Sequence, residues 1–497
     1  MAFISVKFVL FMTIVAALYY ILPRRWSNTL LVAASGMFYY ISSPRSLPWL
    51  ALSVIISYTA AIICERVRGT RSKTAVVALA LVLDIGALVF FKYSGFFMQH
   101  LESMLGFPVA AEGAFGIIVP FGISFYTLQT VGYLIDVRRG TIAAERNVIT
   151  YAAYITFFPH IMSGPIARAS HLLPQFNSAA AFSWENICGG VRRFLWGLFK
   201  KAVIADTLAL FVDTVYTSPA NENPLTVLAA CLAFGLQLYF DFSAYTDMAL
   251  GAGLLLGFQL DENFSAPYFS TSVTEIWTRW HLSLTSWLHE YVYFPLGGSR
   301  KGYTRKLINI MLVFIVSGLW HGGHWGFVVW GILFGILRIF EDVVGKKLSA
   351  LPPLKGPARK AVLIVRTAYS YLAWCGVFIF FRMKTITASV GVISRIFTLS
   401  QWSVSAFEAR CYNLLLNTIP SSPAFAKLGL LIIAMSTLLA LALEYYYVYL
   451  RHAHTDRPND LLAQLPEWPR FAVYMFMLCA SLAFGMFGSS SFVYFQF

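Results

Sequence analysis

With 497 residues, 58% of them hydrophobic and 12% charged, the chain cannot cover itself with a polar surface, since soluble domains carry about a quarter charged residues. A soluble globular protein is therefore excluded. The net charge of +14 does not mark a nucleic-acid binder either, because Lys and Arg gather in short loops between long apolar blocks, the pattern that sets orientation in a membrane.

The first block runs from Phe3 to Leu22. No Lys/Arg cluster precedes it, and Pro23-Arg24-Arg25 follows where a secretory signal would offer small residues for cleavage. It reads as the first span. Further apolar segments follow at 27–41, 46–64, 75–92 and 115–134. The loops at Arg24/Arg25, Arg66 to Lys73 and Arg138/Arg139 are basic, whereas 94–114 contains no Lys or Arg. Basic loops face the cytoplasm, so the N-terminus and the 94–114 loop are expected outside.

The middle of the chain is less regular. Residues 149–176 hold Pro159, Gly164, Pro165 and Pro174 in a mostly apolar stretch. Proline breaks helix hydrogen bonding, and freed backbone groups at membrane depth are tolerated only against protein or a wet cavity. A broken, re-entrant element is expected there. Segments 185–216 and 223–258 are again apolar, with Lys200-Lys201 read as a helix end snorkelling to the interface. Residues 274–298 are amphipathic, rich in aromatics and ionisable groups, and should line a chamber or lie at the interface.

Spans resume at 307–320, 323–343, 361–381, 425–450 and 471–488, with basic loops from Arg300 to Lys306 and from Lys346 to Lys360. The expected fold is all-α and polytopic, with about eleven or twelve transmembrane helices plus re-entrant pieces. It reads as one membrane domain over 1–497: N-terminal helices to 135, a core over 136–345, and C-terminal helices with a tail over 346–497. By parity the 386–424 region and the C-terminus lie outside. The six cysteines are scattered without a CxxC pair, so they suit apolar filling rather than disulfides or thiolate metal sites.

Ionisable groups within the apolar body are costly and need a partner or a task. His452 and His454 fall in a polar loop, and His100 and His171 look like loop or interface residues. His160, His281, His289, His321 and His324 remain. His321 stands in SGLWHGGHWG between two apolar spans. A helix ending in Gly–Gly lets backbone and ligand approach closely, and a desolvated but accessible imidazole there is suited to accept a hydroxyl proton. The plain alternative is a structural histidine bonded across helices.

His281, in WTRWHLS, could orient the same acceptor or stabilise developing charge; otherwise it belongs to an interfacial aromatic belt. His289 lies eight residues on, roughly on the same face of a continuous helix. The i, i+3 spacing of His321 and His324 could suit a metal, but no HExxH or carboxylate-rich segment accompanies them, so no metal is expected. No GxxxxGK[ST] loop or GxSxG elbow occurs, and GAGLLLG at 251–257 suits close helix packing.

Four runs in order carry a resemblance: FFPHIMSGPIAR (157–168), QLYFDFSAYTDMALG (237–251), IWTRWHLSLTSWLHEYVYFPLGGSRKG (276–302) and NIMLVFIVSGLWHG (309–322). Together they resemble the membrane-bound O-acyltransferases. The bacterial branch that acetylates alginate is most similar; it includes peptidoglycan O-acetyltransferases and is related to the D-alanyl teichoic acid acyltransferases.

The resemblance implies a central tunnel with His321 at its narrow middle as the hallmark histidine and His281 as the second. Trp280 and Trp320 would line that tunnel. The ending FVYFQF resembles an FxYxxF motif, present as Phe492, Tyr494 and Phe497, whose tyrosine would relay the acyl group. The donor implied is acetyl-CoA, a substrate, with no bound cofactor.

Arg300, Lys301 and Arg305, in a basic cytoplasmic loop, could attract the CoA phosphates, although ordinary topology signalling is the commoner reason for any one such residue. The implied activity is O-acetylation of an envelope polysaccharide, such as alginate, cellulose or peptidoglycan. It would take place at a bacterial inner membrane with a secreted or membrane-anchored SGNH-like partner. Readings from other classes are a transporter or flippase using the histidines as a proton relay, and a non-catalytic scaffold of an export complex. No inverted repeat is visible in the sequence.

Overall fold

Short polar side chains start several helices by taking up amide hydrogens that the first turn leaves open. Ser5 Oγ accepts from Phe8 N ahead of helix Val6–Ile21. Asn147 Oδ1 accepts from Ile149 N and Thr150 N ahead of Val148–Thr156. Thr385 does the same for Ile386–Ile396. The computed structural model describes residues 2–105, 119–178, 181–348, 355–383, 385–418, 423–446, 465–486 and Phe492. Among these residues the chain is helical, and the one β-type pairing is an isolated bridge between Phe264 and Trp280.

Among the described residues, five helices are long and apolar enough to cross a bilayer: Pro44–Arg66, Thr70–Leu105, Pro224–Leu255, Tyr303–His321 and Gly356–Arg382. Val6–Ile21, Ile386–Ile396 and Leu431–Tyr445 are shorter apolar helices. The all-α, membrane-spanning class expected from hydropathy is the one observed.

The chain divides into two compact units, Met1–Phe194 with Thr246–Glu262, and Leu195–Tyr245 with Asn263–Phe497. In the first unit, helices Ser27–Ser42, Leu47–Arg66, Thr70–Leu105 and Ile123–Arg139 pack side by side with Val148–Thr156. The proline-rich stretch is broken as expected: Val148–Thr156 ends at Phe157, turns follow, and helix Ala169–Asn177 resumes. Gly164 makes the return possible, because a Cβ there would stand 2.5 Å from His160 Cα.

Gly190 and Gly251 face each other so closely that a Cβ on either would meet the other's carbonyl oxygen at 2.8 or 2.7 Å. The small-residue reading of 251–257 holds. Nearby, the largely buried Arg193 guanidinium lies between Asp247 (2.6 Å) and Glu262 (2.7 Å), so the buried cation is paired on both sides.

Helix Thr70–Leu105 corrects one expectation. The stretch 94–114 was read as a loop, yet helix continues to Leu105 and carries an exposed His100. Its 36 residues extend for ~54 Å, well beyond a hydrocarbon core of about 30 Å. Lack of Lys and Arg did not mark where the helix stops.

In the second unit, helices Tyr303–His321 and Trp325–Leu348 form a hairpin. Gly318 and Gly331 allow it: a Cβ on Gly318 would collide with Phe327 O, and one on Gly331 with Phe314 O. Lys306 pairs with Asp342 across the open end of the hairpin. Helix Gly356–Arg382 packs on the Trp325–Leu348 helix. Helices Val404–Thr418, Pro423–Tyr445 and Glu467–Phe484 follow.

Lys200 and Lys201 correct a second expectation. They do not snorkel; both are buried in a π-helical turn, Lys200–Ala205. Lys201 Nζ lies 2.7 Å from Asp206 and 2.6 Å from Asp241, and Lys200 Nζ donates to Ser243 Oγ at 2.8 Å. Two ammonium groups and two carboxylates share one desolvated site, the usual reason that charges survive at such depth. Backbone Met486 N donates to Ala202 O in this turn at 3.0 Å, tying in the end of the last helix.

Candidate active site

The amphipathic stretch expected as one element is instead broken into three: helices Val273–Trp277 and Leu282–Leu288, then a π-helical turn His289–Tyr293. His281 sits at the first break. There the chain runs antiparallel to residues 263–265: Ser265 N donates to Arg279 O and Leu282 N to Asn263 O, both at 3.0 Å. His281 itself adopts φ 45° and ψ 52°, a left-handed conformation uncommon outside glycine. Such strained backbone at a non-glycine residue clusters at functional sites. The same break removes the basis for placing His289 on a common face with His281; His289 instead stacks on Tyr293, with centroids 4.9 Å apart.

Asn263 is fully buried and reaches back to the break. Its Oδ1 accepts from Ser283 N at 3.1 Å and Ser283 Oγ at 2.7 Å, and it contacts His281 Nδ1 at 3.2 Å. An amide N–H of the backbone can only donate, so the atom facing it is oxygen, and His281 Nδ1 must carry the hydrogen. In the neutral ring this leaves a lone pair on Nε2. His281 is thus built as a proton or hydrogen-bond acceptor at Nε2.

His321 is the last residue of its helix, and Gly322 continues in extended backbone. A Cβ on Gly322 would stand 2.7 Å from the Phe327 ring, so glycine permits the tight exit. The buried His321 ring meets Trp330 (5.0 Å) and Phe381 (5.1 Å) edge to face. His324 lies beyond the Gly322-Gly323 break and is exposed; the helical spacing that could have suited a metal is not realised.

Trp320 joins the two histidines, its centroid 6.2 Å from His281 and 4.9 Å from His321. Trp280 packs edge to face on Trp374 at 5.0 Å, and both belong to the cluster containing Trp330, Phe378 and Phe381. Sequence-predicted His281, His321, Trp280 and Trp320 therefore meet around one aromatic wall.

Arg300, Lys301 and Arg305 are exposed beside the turn at Gly297, Gly298 and Gly302. Tyr494 and Phe497 lie outside the described residues. Phe492, two residues earlier, is buried against Tyr245 (4.9 Å) and Phe242 (5.7 Å). Phe242 in turn meets His281 edge to face at 4.7 Å.

The family model for MBOAT, the membrane-bound O-acyltransferase family, matches residues 141–386, which include both histidines. A probable alginate O-acetylase of Pseudomonas putida is 34% identical over 98% of this chain and 98% of its own length. The chain belongs to the membrane-bound O-acyltransferase family.

A peptidoglycan O-acetyltransferase of Helicobacter pylori is 30% identical over 83% of this chain and 82% of its own. A teichoic acid D-alanyltransferase of Bacillus subtilis is 25% identical over 54% and 71%. As a membrane-bound O-acyltransferase, this multi-pass protein is an enzyme that moves an acyl group onto a hydroxyl oxygen. That decides against the transporter and scaffold readings. Sequence reasoning missed Asn263: its only signal was a polar residue between Glu262 and Phe264 in an already polar loop.

Proposed function

We propose that the protein takes acetyl from cytoplasmic acetyl-CoA and delivers it across the membrane for O-acetylation of an envelope polysaccharide, an exopolysaccharide such as alginate or cellulose, or peptidoglycan. The observation that carries this reading is the pair of buried imidazoles around Trp320, one of them held with its acceptor nitrogen defined.

His321 is the general base. It removes the proton of an attacking hydroxyl as the oxygen adds to the thioester carbonyl; the C–S bond then breaks and the CoA thiolate leaves, taking up a proton. His281 Nε2 accepts a hydrogen bond from the hydroxyl and orients it, which its tautomer favours over stabilising negative charge. Trp280 and Trp320 border the passage. Arg300, Lys301 and Arg305 draw in the CoA phosphates. Tyr494 is the first acceptor, and its ester is handed to a secreted or membrane-anchored SGNH-like partner. Burial of Phe492 one ring from His281 supports a tail that approaches the histidines. Both termini are extracytoplasmic in a bacterial inner membrane.

The test is mass spectrometry of envelope polysaccharides from cells carrying wild type or His321→Ala, with membrane levels matched. Loss of O-acetyl groups in the variant is expected. Full acetylation in the variant would remove His321 from the chemistry, and unchanged polysaccharides in a complete deletion would remove these polymers as acceptors.

A further inference from the structure

The second unit holds an apolar cleft of about 770 Å³ that the acyl-transfer chemistry does not use. This is within the range of roughly 300–1,000 Å³ typical of ligand pockets. Leu363, Ala368 and Tyr371 line it from one helix, Leu236 and Leu441 from two others, and Tyr268 from the short turn at Pro267–Phe269. Leu363, Thr367 and Tyr371 recur every four residues, so they share one face of Gly356–Arg382.

The tyrosine hydroxyls do not make the cleft polar. Tyr371 Oη donates to Leu232 O at 2.8 Å, and Tyr268 Oη donates to Gly235 O. Thr271, Thr367 and Tyr445 also border the space, and the rest of its lining is ring and aliphatic carbon. Both Gly356–Arg382 and Pro224–Leu255 are long and apolar enough to cross a membrane, and a gap between two such helices suits hydrocarbon rather than water. Filling it with water would leave apolar surface wet at a cost of about 25 cal/mol per Å².

One edge of the cleft is cationic. Arg366, exposed on the same helix, donates from Nε to Thr271 O at 3.2 Å, and Thr271 lines the cleft. A guanidinium has five donors, so this bond leaves capacity for an anion. Arg359 and Lys360 are exposed one to two turns earlier. Of the carboxylates around Thr271, Glu275 accepts from Arg279 and from Thr271, and Glu341 accepts from Val273 N and Thr274 N. An apolar slot with a guanidinium at its edge matches an amphiphile with a long tail and an anionic head.

We propose that the cleft binds one acyl chain of an anionic phospholipid, with the lipid phosphate held at Arg366. The bound chain lies against Tyr268, whose ring stacks on Trp280 with centroids 6.2 Å apart. It therefore braces the wall next to His281 from the lipid side. This assignment does not depend on the acyl donor or acceptor.

The experiment uses the full chain in nanodiscs containing a trace of photoactivatable phospholipid, either phosphatidylglycerol or phosphatidylcholine with a diazirine near the chain end. Cross-linked peptides are mapped by mass spectrometry. The phosphatidylglycerol probe should label the 363–371 face several-fold more than the lipid-exposed flank at Leu372. Ala368→Trp should abolish the cleft label and spare the Leu372 label. Arg366→Gln should bring the phosphatidylglycerol label down to the phosphatidylcholine level. Leu441→Phe fills the same space from another helix and serves if Ala368→Trp fails to fold. Equal labelling by the two lipids in the wild type, or a cleft label that survives filling, overturns the proposal.

Discussion

Asn263 determines which nitrogen of His281 carries hydrogen. Its Oδ1 is held by Ser283 through a backbone amide and a hydroxyl, so only an N–H of the imidazole can face it. Asn263→Ala removes that constraint and leaves the ring free to flip or change tautomer. Loss of the partner that orients a metal-ligating histidine typically costs about 10–100-fold, and by analogy the turnover number should fall by about that factor with little change in the amount of folded protein. Asn263→Asp keeps an acceptor at the same place and should retain more activity than Asn263→Ala. Steady-state acyl transfer by the two purified variants decides it; equal loss in both would show that the carboxamide oxygen is not the relevant group.

His321→Ala should lower acyl transfer by about 10²–10⁴-fold, the usual contribution of a positioned base. Membrane insertion and elution from a size-exclusion column should match the wild type. Near-normal transfer in such a preparation would transfer the base role elsewhere.

Gly318→Val should separate the hairpin that presents His321, because the new side chain must displace Phe327 backbone. Overpacking of this kind costs about 1–3 kcal/mol. The melting temperature in detergent should drop, whereas Gly376→Val, whose Cβ meets nothing within 4 Å, should melt like the wild type.

Lys201→Met leaves Asp206 and Asp241 buried without their shared ammonium group. Breaking a buried pair by removing one partner costs about 3–5 kcal/mol. The double variant Lys201→Met with Asp241→Asn should recover part of the loss. A double-mutant cycle on thermal stability reads the coupling directly; additive losses would mean that the lysine and aspartate do not act together.

Replacing Arg300, Lys301 and Arg305 together with Gln should raise KM for the CoA thioester several-fold at low ionic strength and leave kcat unchanged. Added salt should shrink the difference, since exposed charges separated by about 10 Å are screened at 0.1 M. A KM insensitive to both changes would reduce these residues to topology markers.

How far the sequence carried depended on whether a signal was local. Apolar runs located the spans, and Pro159, Gly164 and Pro165 located a true break between Thr156 and Ala169. The Gly-Gly after His321 correctly marked an abrupt helix end. The pairing of Lys201 with Asp241 was illegible because forty residues separate them and two adjacent lysines look the same at an interface or in a core. His281 was singled out, but its left-handed backbone was not. Nothing in RWHLS breaks a helix by composition; the break comes from backbone bonds to 263–265, which only the folded chain supplies.

The aromatic wall has a consequence for biogenesis. Trp374, Phe378 and Phe381 belong to a helix synthesised after both histidines, yet His321 leans on Phe381 and Trp280 on Trp374. A nascent chain that has threaded only as far as the 325–348 helix holds both imidazoles but lacks the Phe381 and Trp374 rings on which His321 and Trp280 lean. The surroundings of the proposed two-imidazole site are therefore completed late, by a segment that contributes no imidazole of its own.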